Sequence, residues 1–404
     1  MPRRLTFLLA ALLLITQACG LASQPTLPPT LAPTLALTAT AVAPPPATRT
    51  AALPSPTPTL APTPVFALVH GPYLQSVTAS SIIVVWDTDE SSTGEVAYGE
   101  TADYTTRLAD PAPATRHAVT LVGLRPYTTY HYRLESNGWP LTEDLTFRTA
   151  ADASQPSFTF AVYGDTRTGH DRHRTVIDRL LALAPDFALH TGDLVASGSS
   201  ASDWETFLSI ERPLMARLPI FPTLGNHEQD NPFYFDLFYL PGNERWYAFD
   251  YGPARFVCLE IDGIASFGRS SEQYTWLEAT LAANTQPWLF VYFHVPPYSA
   301  LREDDFLLAV RQMLVPLFQQ YGVDAVFNGH HHDYQRILVN GITYFVTGGG
   351  GAETYPVTQP YPGLLAYYNG PHVVYFTLTG ETLTGQAMTP EGGVFDTFTL
   401  TPRP

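Results

Sequence analysis

Ser157-Phe-Thr-Phe-Ala-Val-Tyr-Gly-Asp165 is an apolar run closed by Gly-Asp, and Asp186-Phe-Ala-Leu-His-Thr-Gly-Asp193 repeats the arrangement. Between them Val176, Ile177, Leu180 and Leu181 recur at helical spacing, which predicts a helix over 174–183. Strand, helix and strand with an Asp past each strand is how open α/β sheets place ligands at their C-terminal edge. A lone Gly-Asp is usually only a turn, so the weight rests on repetition. Further along, 219–224 leads into Gly225-Asn226-His227-Glu228, 288–293 into His294, and 323–327 into Asn328-Gly329-His330-His331-His332. Each of these apolar strands delivers a polar, ligand-type side chain just past its last residue.

Asp165, Asp193, Asn226, His294, His330 and His332 together would be costly to bury unless a cation held them. Their mixed oxygen and nitrogen donors suit Fe, Mn or Zn. Thiolate chemistry is not indicated. Cys258 lies in the apolar run 255–261 and reads as core, and Cys19 lies near the N-terminus. The net charge of −16 argues against a nucleic-acid binder, which needs a basic stripe. All 21 basic residues are arginine, the side chain that grips phosphate in a fork.

Upstream the pattern changes. Residues 65–150 carry short β-branched and aromatic runs, such as Ser81-Ile-Ile-Val-Val-Trp-Asp87 and Thr129-Tyr-His-Tyr-Arg-Leu-Glu135, separated by turn formers. They predict a β-sandwich. Residues 24–64 are mostly Pro, Thr, Ala and Leu and read as an extended stalk. Residues 1–23 have Arg3 and Arg4 before an apolar stretch, the layout of an export signal. Thr16-Gln-Ala-Cys19-Gly20 resembles a lipoprotein box, implying a lipid on Cys19 and attachment to the outer face of the cell membrane; plain secretion is the alternative.

The ordered series Gly164-Asp165, Gly192-Asp193, Gly225-Asn226-His227-Glu228, Phe293-His294 and Gly329-His330-His331-His332 resembles the calcineurin-like metallophosphoesterase superfamily. The upstream module, with Gly71-Pro-Tyr-Leu-Gln75, Val85-Trp86 and Phe147-Arg-Thr-Ala150, is similar to the fibronectin type III module of purple acid phosphatases. The resemblance implies a fibronectin type III-like β-sandwich followed, over 155–402, by an α/β domain of two mixed sheets flanked by helices. It implies a phosphoric ester hydrolase of acid-phosphatase type with a dinuclear metal centre, whose bound hydroxide attacks phosphorus. Asp193 would bridge both ions. Asp165 and His332 would complete one, and Asn226, His294 and His330 the other. His227 would assist the leaving oxygen as the catalytic residue, oriented by Glu228.

Two positions depart from that pattern. Ala196 stands where purple acid phosphatases carry the Tyr that colours their iron, and Arg167 where many superfamily members carry a His ligand. One ion therefore lacks its usual fourth protein ligand, and no purple chromophore is expected. Arg167 is instead a candidate for gripping substrate phosphate, with His173 near a helix start and Tyr334 two residues past His332 as further candidates. Access would depend on the segments 197–204 and 230–239, the latter carrying Phe233, Tyr234, Phe235 and Phe238, which read as core first and as a stacking surface second. The 347–351 run Thr-Gly-Gly-Gly-Gly predicts a tight turn near the pocket. The alternatives are phosphodiesterase or nucleotidase action at the same site, or a non-catalytic surface binding protein with a degenerate metal domain.

Overall fold

The β-branched run at Ser81 opens an exceptionally long strand, Ser81–Gly99, which pairs over most of its length with Thr106–Val122. The pairing register breaks between Asp87 and Gly94. There the long strand changes its other partner, from Leu68–Gln75 to Thr129–Ser136. One hydrogen-bonded sheet is thereby folded over on itself, and Trp86, Tyr132, Leu134 and Phe147 fill its interior. This computed structural model describes residues 66–263, 266–357 and 360–403. The expected export signal, the expected stalk and Cys19 lie outside the described residues. Among the described residues no helix is long and apolar enough to cross a membrane.

The second part of the chain forms two mixed sheets. One runs in the order Val394–Leu400, Thr382–Met388, Val373–Thr379, Ser157–Tyr163, Phe187–His190, Ile220–Pro222, with the last three strands parallel. The other contains Ala254–Cys258, Trp288–Tyr292, Ala325–Asn328 and Ile342–Thr347 as a parallel set. Phenylalanines cross-link them. Phe160 stacks on Phe376 at 4.6 Å and meets Phe256 and Phe327 of the other sheet edge-on at 5.3 and 6.0 Å. Each such ring contributes roughly 1.5–3 kcal/mol by burial. All five ligand-delivering strands thus end on one edge of this double layer, with the site beyond it.

Helices cover the outer faces. His170–Leu183 starts one turn before the expected helix and buries Val176, Ile177 and Leu180. Ala201–Met215 is capped by Ser200, whose side chain accepts the Asp203 N–H. The β-module docks through polar contacts that sequence patterning did not assign. The buried Gln75 amide donates to Leu237 O at 2.9 Å and accepts the Tyr239 N–H at 2.6 Å. Ser76 Oγ donates to Tyr239 O, and Tyr132 OH to Ala216 O. Arg148 pairs with Asp186 at 2.9 Å.

Candidate metal centre

Backbone conformation places the ligands. Asp165, Asp193 and His330 all adopt left-handed φ of 57, 55 and 68°, a conformation in which Asp and His are enriched over other non-glycine residues. Each turn throws its side chain back over the strand end. The glycines beside them are sites of close approach: a Cβ on Gly329 would collide with Asp165 Oδ2, and one on Gly225 with Asp193 Oδ1. The glycine run packs under the Asp165 turn, with Gly350 N–H bonded to Gly164 O and Ala352 N–H to Asp165 O, both at 2.8 Å.

All six predicted side chains converge. Asp165, Asp193 and His332 offer one ligand atom each within 4.8 Å of one another. His294 Nε2 lies 3.3 Å from Asp193 Oδ1 and 3.1 Å from Asn226 Oδ1. His330 Nδ1 lies 3.0 Å from the same Asn226 oxygen and 3.3 Å from His294 Nε2.

The other ring nitrogens settle what the site wants. His294 Nδ1 bonds to Thr191 O at 2.8 Å and His332 Nδ1 to Glu353 O at 2.7 Å. A carbonyl only accepts, so both Nδ1 atoms are donors. In the neutral ring the Nε2 lone pair of His294 then faces Asp193 and Asn226, and that of His332 faces Asp165 at 3.3 Å. Lone pairs facing oxygens need a cation between them. The donor chemistry therefore fits metal ions, with the Nδ1 bonds fixing ring orientation as in metal–histidine sites. Without an ion a proton takes that place: although burial lowers the His294 pKa, the Asp193 charge and hydrogen bond push it up to about 10.

Glu228 braces the turn that carries Asp193. Both its oxygens are used, accepting the N–H groups of Asp193, Leu194, Val195 and Gly225 at 3.0, 2.8, 3.2 and 2.7 Å. Burial and the Asp193 charge push its carboxyl up to about 8, against amide donors that favour the ionised form. It holds the loops at Asp193 and Gly225 rather than touching His227. That ring bonds instead through Nδ1 to Ala196 O at 2.7 Å, leaving Nε2 3.8 Å from Asp193 Oδ2.

The cleft over the site encloses about 510 Å³ and is lined by Arg167, Asn226, His227, His330, Arg302 and Tyr355, among others. Two substrate candidates are corrected. Tyr334 is fully buried, its hydroxyl donating at 2.7 Å to Asp396 Oδ2 on the Val394–Leu400 strand of the other sheet. His173 turns into the helix–helix interface and bonds Glu211 at 2.8 Å, where Tyr163 OH also donates. His331 turns to Ser299 Oγ at 2.6 Å. Tyr234 and Phe238 are core, and no aromatic side chain of the segment 230–239 lines the cleft. Arg302 and Tyr355, which sequence reasoning missed, take that place; Tyr355 stacks on His332 at 4.9 Å. Neither sits in a recognisable motif, and only the turn-rich composition of 351–356 signals an exposed loop there.

Comparisons with known proteins bear on the domains and the fold. The family model described as calcineurin-like phosphoesterase matches residues 158–334, and that of the purple acid phosphatase N-terminal domain matches 70–149. Purple acid phosphatase 18 of Arabidopsis thaliana is 32% identical over 241 residues, 54% of this chain and 52% of that protein. The chain spans about half the length of the first curated relatives it matches. The purple acid phosphatase PPD1 from yellow lupin (Lupinus luteus) seeds superposes with a TM-score of 0.71 at 20% identity, covering 82% of this chain and 74% of that one. The structure of PhoD gives 0.68 at 14% identity, covering 85% and 90%. Both likenesses are of fold. Residues 158–334 thus match the calcineurin-like phosphoesterase domain, and ahead of them residues 70–149 match the N-terminal domain of purple acid phosphatases.

Proposed function

We propose that the protein hydrolyses phosphoric esters as an acid phosphatase-like phosphomonoesterase with two metal ions. The carrying observation is the pair of histidines, His294 and His332, whose locked Nδ1 donors leave Nε2 facing carboxylates. Asp193 would be shared, with Asn226, His294 and His330 on one side and Asp165 and His332 on the other. Fe, Mn or Zn bound there would supply Lewis acidity and an activated water at neutral pH. The remaining work falls to the chain. Arg302 lines the cleft and can take phosphate oxygens in a fork, whereas Arg167, also on the cleft, is held by Asp193 and His332. His227 Nε2, with Nδ1 held as a donor by Ala196 O, faces the cleft to meet the departing oxygen.

Purified protein assayed for bound metal and turned over on nitrophenyl phosphate and on its bis-ester tests this reading. Turnover of the monoester above the bis-ester, lost on chelation and restored by one of the three metals, is expected. Metal-loaded protein inert across both would sink it in favour of a binding protein. Tyr355, 41% exposed beside His332, favours aryl or nucleoside leaving groups as a second reading, checked by comparing nucleoside and sugar monophosphates. Export, and a lipid on Cys19, remain part of the proposal through the N-terminal sequence; mass spectrometry of the membrane-extracted N-terminus checks them.

A further inference from the structure

Arg167 touches two members of one ligand group. Its Nε lies 3.2 Å from Asp193 Oδ2 and its Nη2 3.4 Å from His332 Nε2. With Asp165, those are the three residues whose ligand atoms cluster within 4.8 Å. A positive charge within hydrogen-bond reach of two donors opposes any cation entering between them. A guanidinium does not deprotonate in proteins, so the opposition can be relieved only by movement.

A second berth adjoins the first. A cavity of about 270 Å³ is lined by Arg167, Thr168, His170, Ala196, Asp203 and Phe207, among others, and Arg167 lines both it and the cleft. The methyl of Ala196 leaves that space open. The Asp203 carboxylate, which accepts the Ser197 N–H at 3.1 Å, offers an acceptor for the guanidinium there.

We propose that Arg167 is a resident counter-cation of the Asp165–Asp193–His332 position, holding its donors when no ion is present and swinging into the Ala196 cavity toward Asp203 when one enters. Among the described residues no arginine hydrogen-bonds to Asn226, His294 or His330, and Arg302 acts on His330 through charge alone, so that position fills first. The inference rests on the six-ligand reading above and divides its two positions by affinity.

The test titrates chelator-stripped full-length protein with Mn²⁺ or Zn²⁺ by calorimetry, with metal content measured after dialysis. One ion held through dialysis and a second bound more weakly by roughly tenfold or more is expected. Arg167→Met should tighten the second ion by about tenfold or more and leave the first unchanged. Ala196→Met, which fills the cavity, should weaken the second ion further. Two indistinguishable ions in the wild type, or a second ion unmoved by both substitutions, overturns the inference while the six-ligand reading stands. Protein that takes up no ion at millimolar metal overturns that reading, and the inference with it.

Discussion

At one end of the site Asn226, His294 and His330 face each other, with two ring nitrogens and an amide oxygen within 3.0–3.3 Å. At the other end Asp165 and His332 share their space with the Arg167 guanidinium. Asp193 belongs to both. The backbone device is the same at each end, a left-handed turn past a strand, yet the charge placed there differs. Two ions bound as proposed would therefore be held with unequal grip on one scaffold. The distinction is carried by a single side chain and by the small residue at position 196 that makes room for it.

The sharpest way to break this contrast is at the shared residue. Asp193→Ala should strip both ends, lowering turnover about a thousandfold or more along with bound metal. Retained turnover would mean the site is wrongly drawn. Next come the paired substitutions His294→Ala and His332→Ala. The first should cost roughly a hundredfold or more in metal affinity and activity, and the second less, because its end is already weak. Equal losses, measured by dialysis and turnover, would erase the asymmetry. Gly329→Ala sharpens the comparison at one end only. Its Cβ would push on Asp165 Oδ2, so stability should fall by about 1–3 kcal/mol and the loss of metal should be confined to the Asp165 end. The narrowest effect, confined to one class of leaving group, is expected at His227. His227→Ala should lower kcat for alkyl phosphates by roughly 10²-fold and barely alter nitrophenyl phosphate, whose leaving group needs no proton.

The ligand series was legible because each member follows an apolar strand, so strand length and turn chemistry alone put it at the sheet edge. What surrounds the ligands was not. Tyr334 follows His332 in the chain, but the strand beginning there turns its side chain under the sheet to Asp396. His173 lies on the apolar face of its helix, where Glu211 satisfies it; helix position alone could not tell a pocket from an interface. Arg302 and Tyr355 reach the cleft from segments about 30 and 20 residues away from the histidine motif. Their arrival depends on how loops pack, which no local period encodes. The same holds for Gln75, quoted with its motif but given its partner only by the folded chain.

Gln75 has one more consequence. Its two hydrogen bonds, with those of Ser76 and Tyr132, sew the β-module to the segments at 237–239 and 216 that belong to the α/β half. Those bonds are buried or partly buried, so separating the halves would leave polar groups unsatisfied in both. Heat should therefore melt the two halves together, in one cooperative transition, although they differ in fold and in chemistry. The module that carries no ligand would then act as a splint, lending its own resistance to unfolding to the loops behind the metal site.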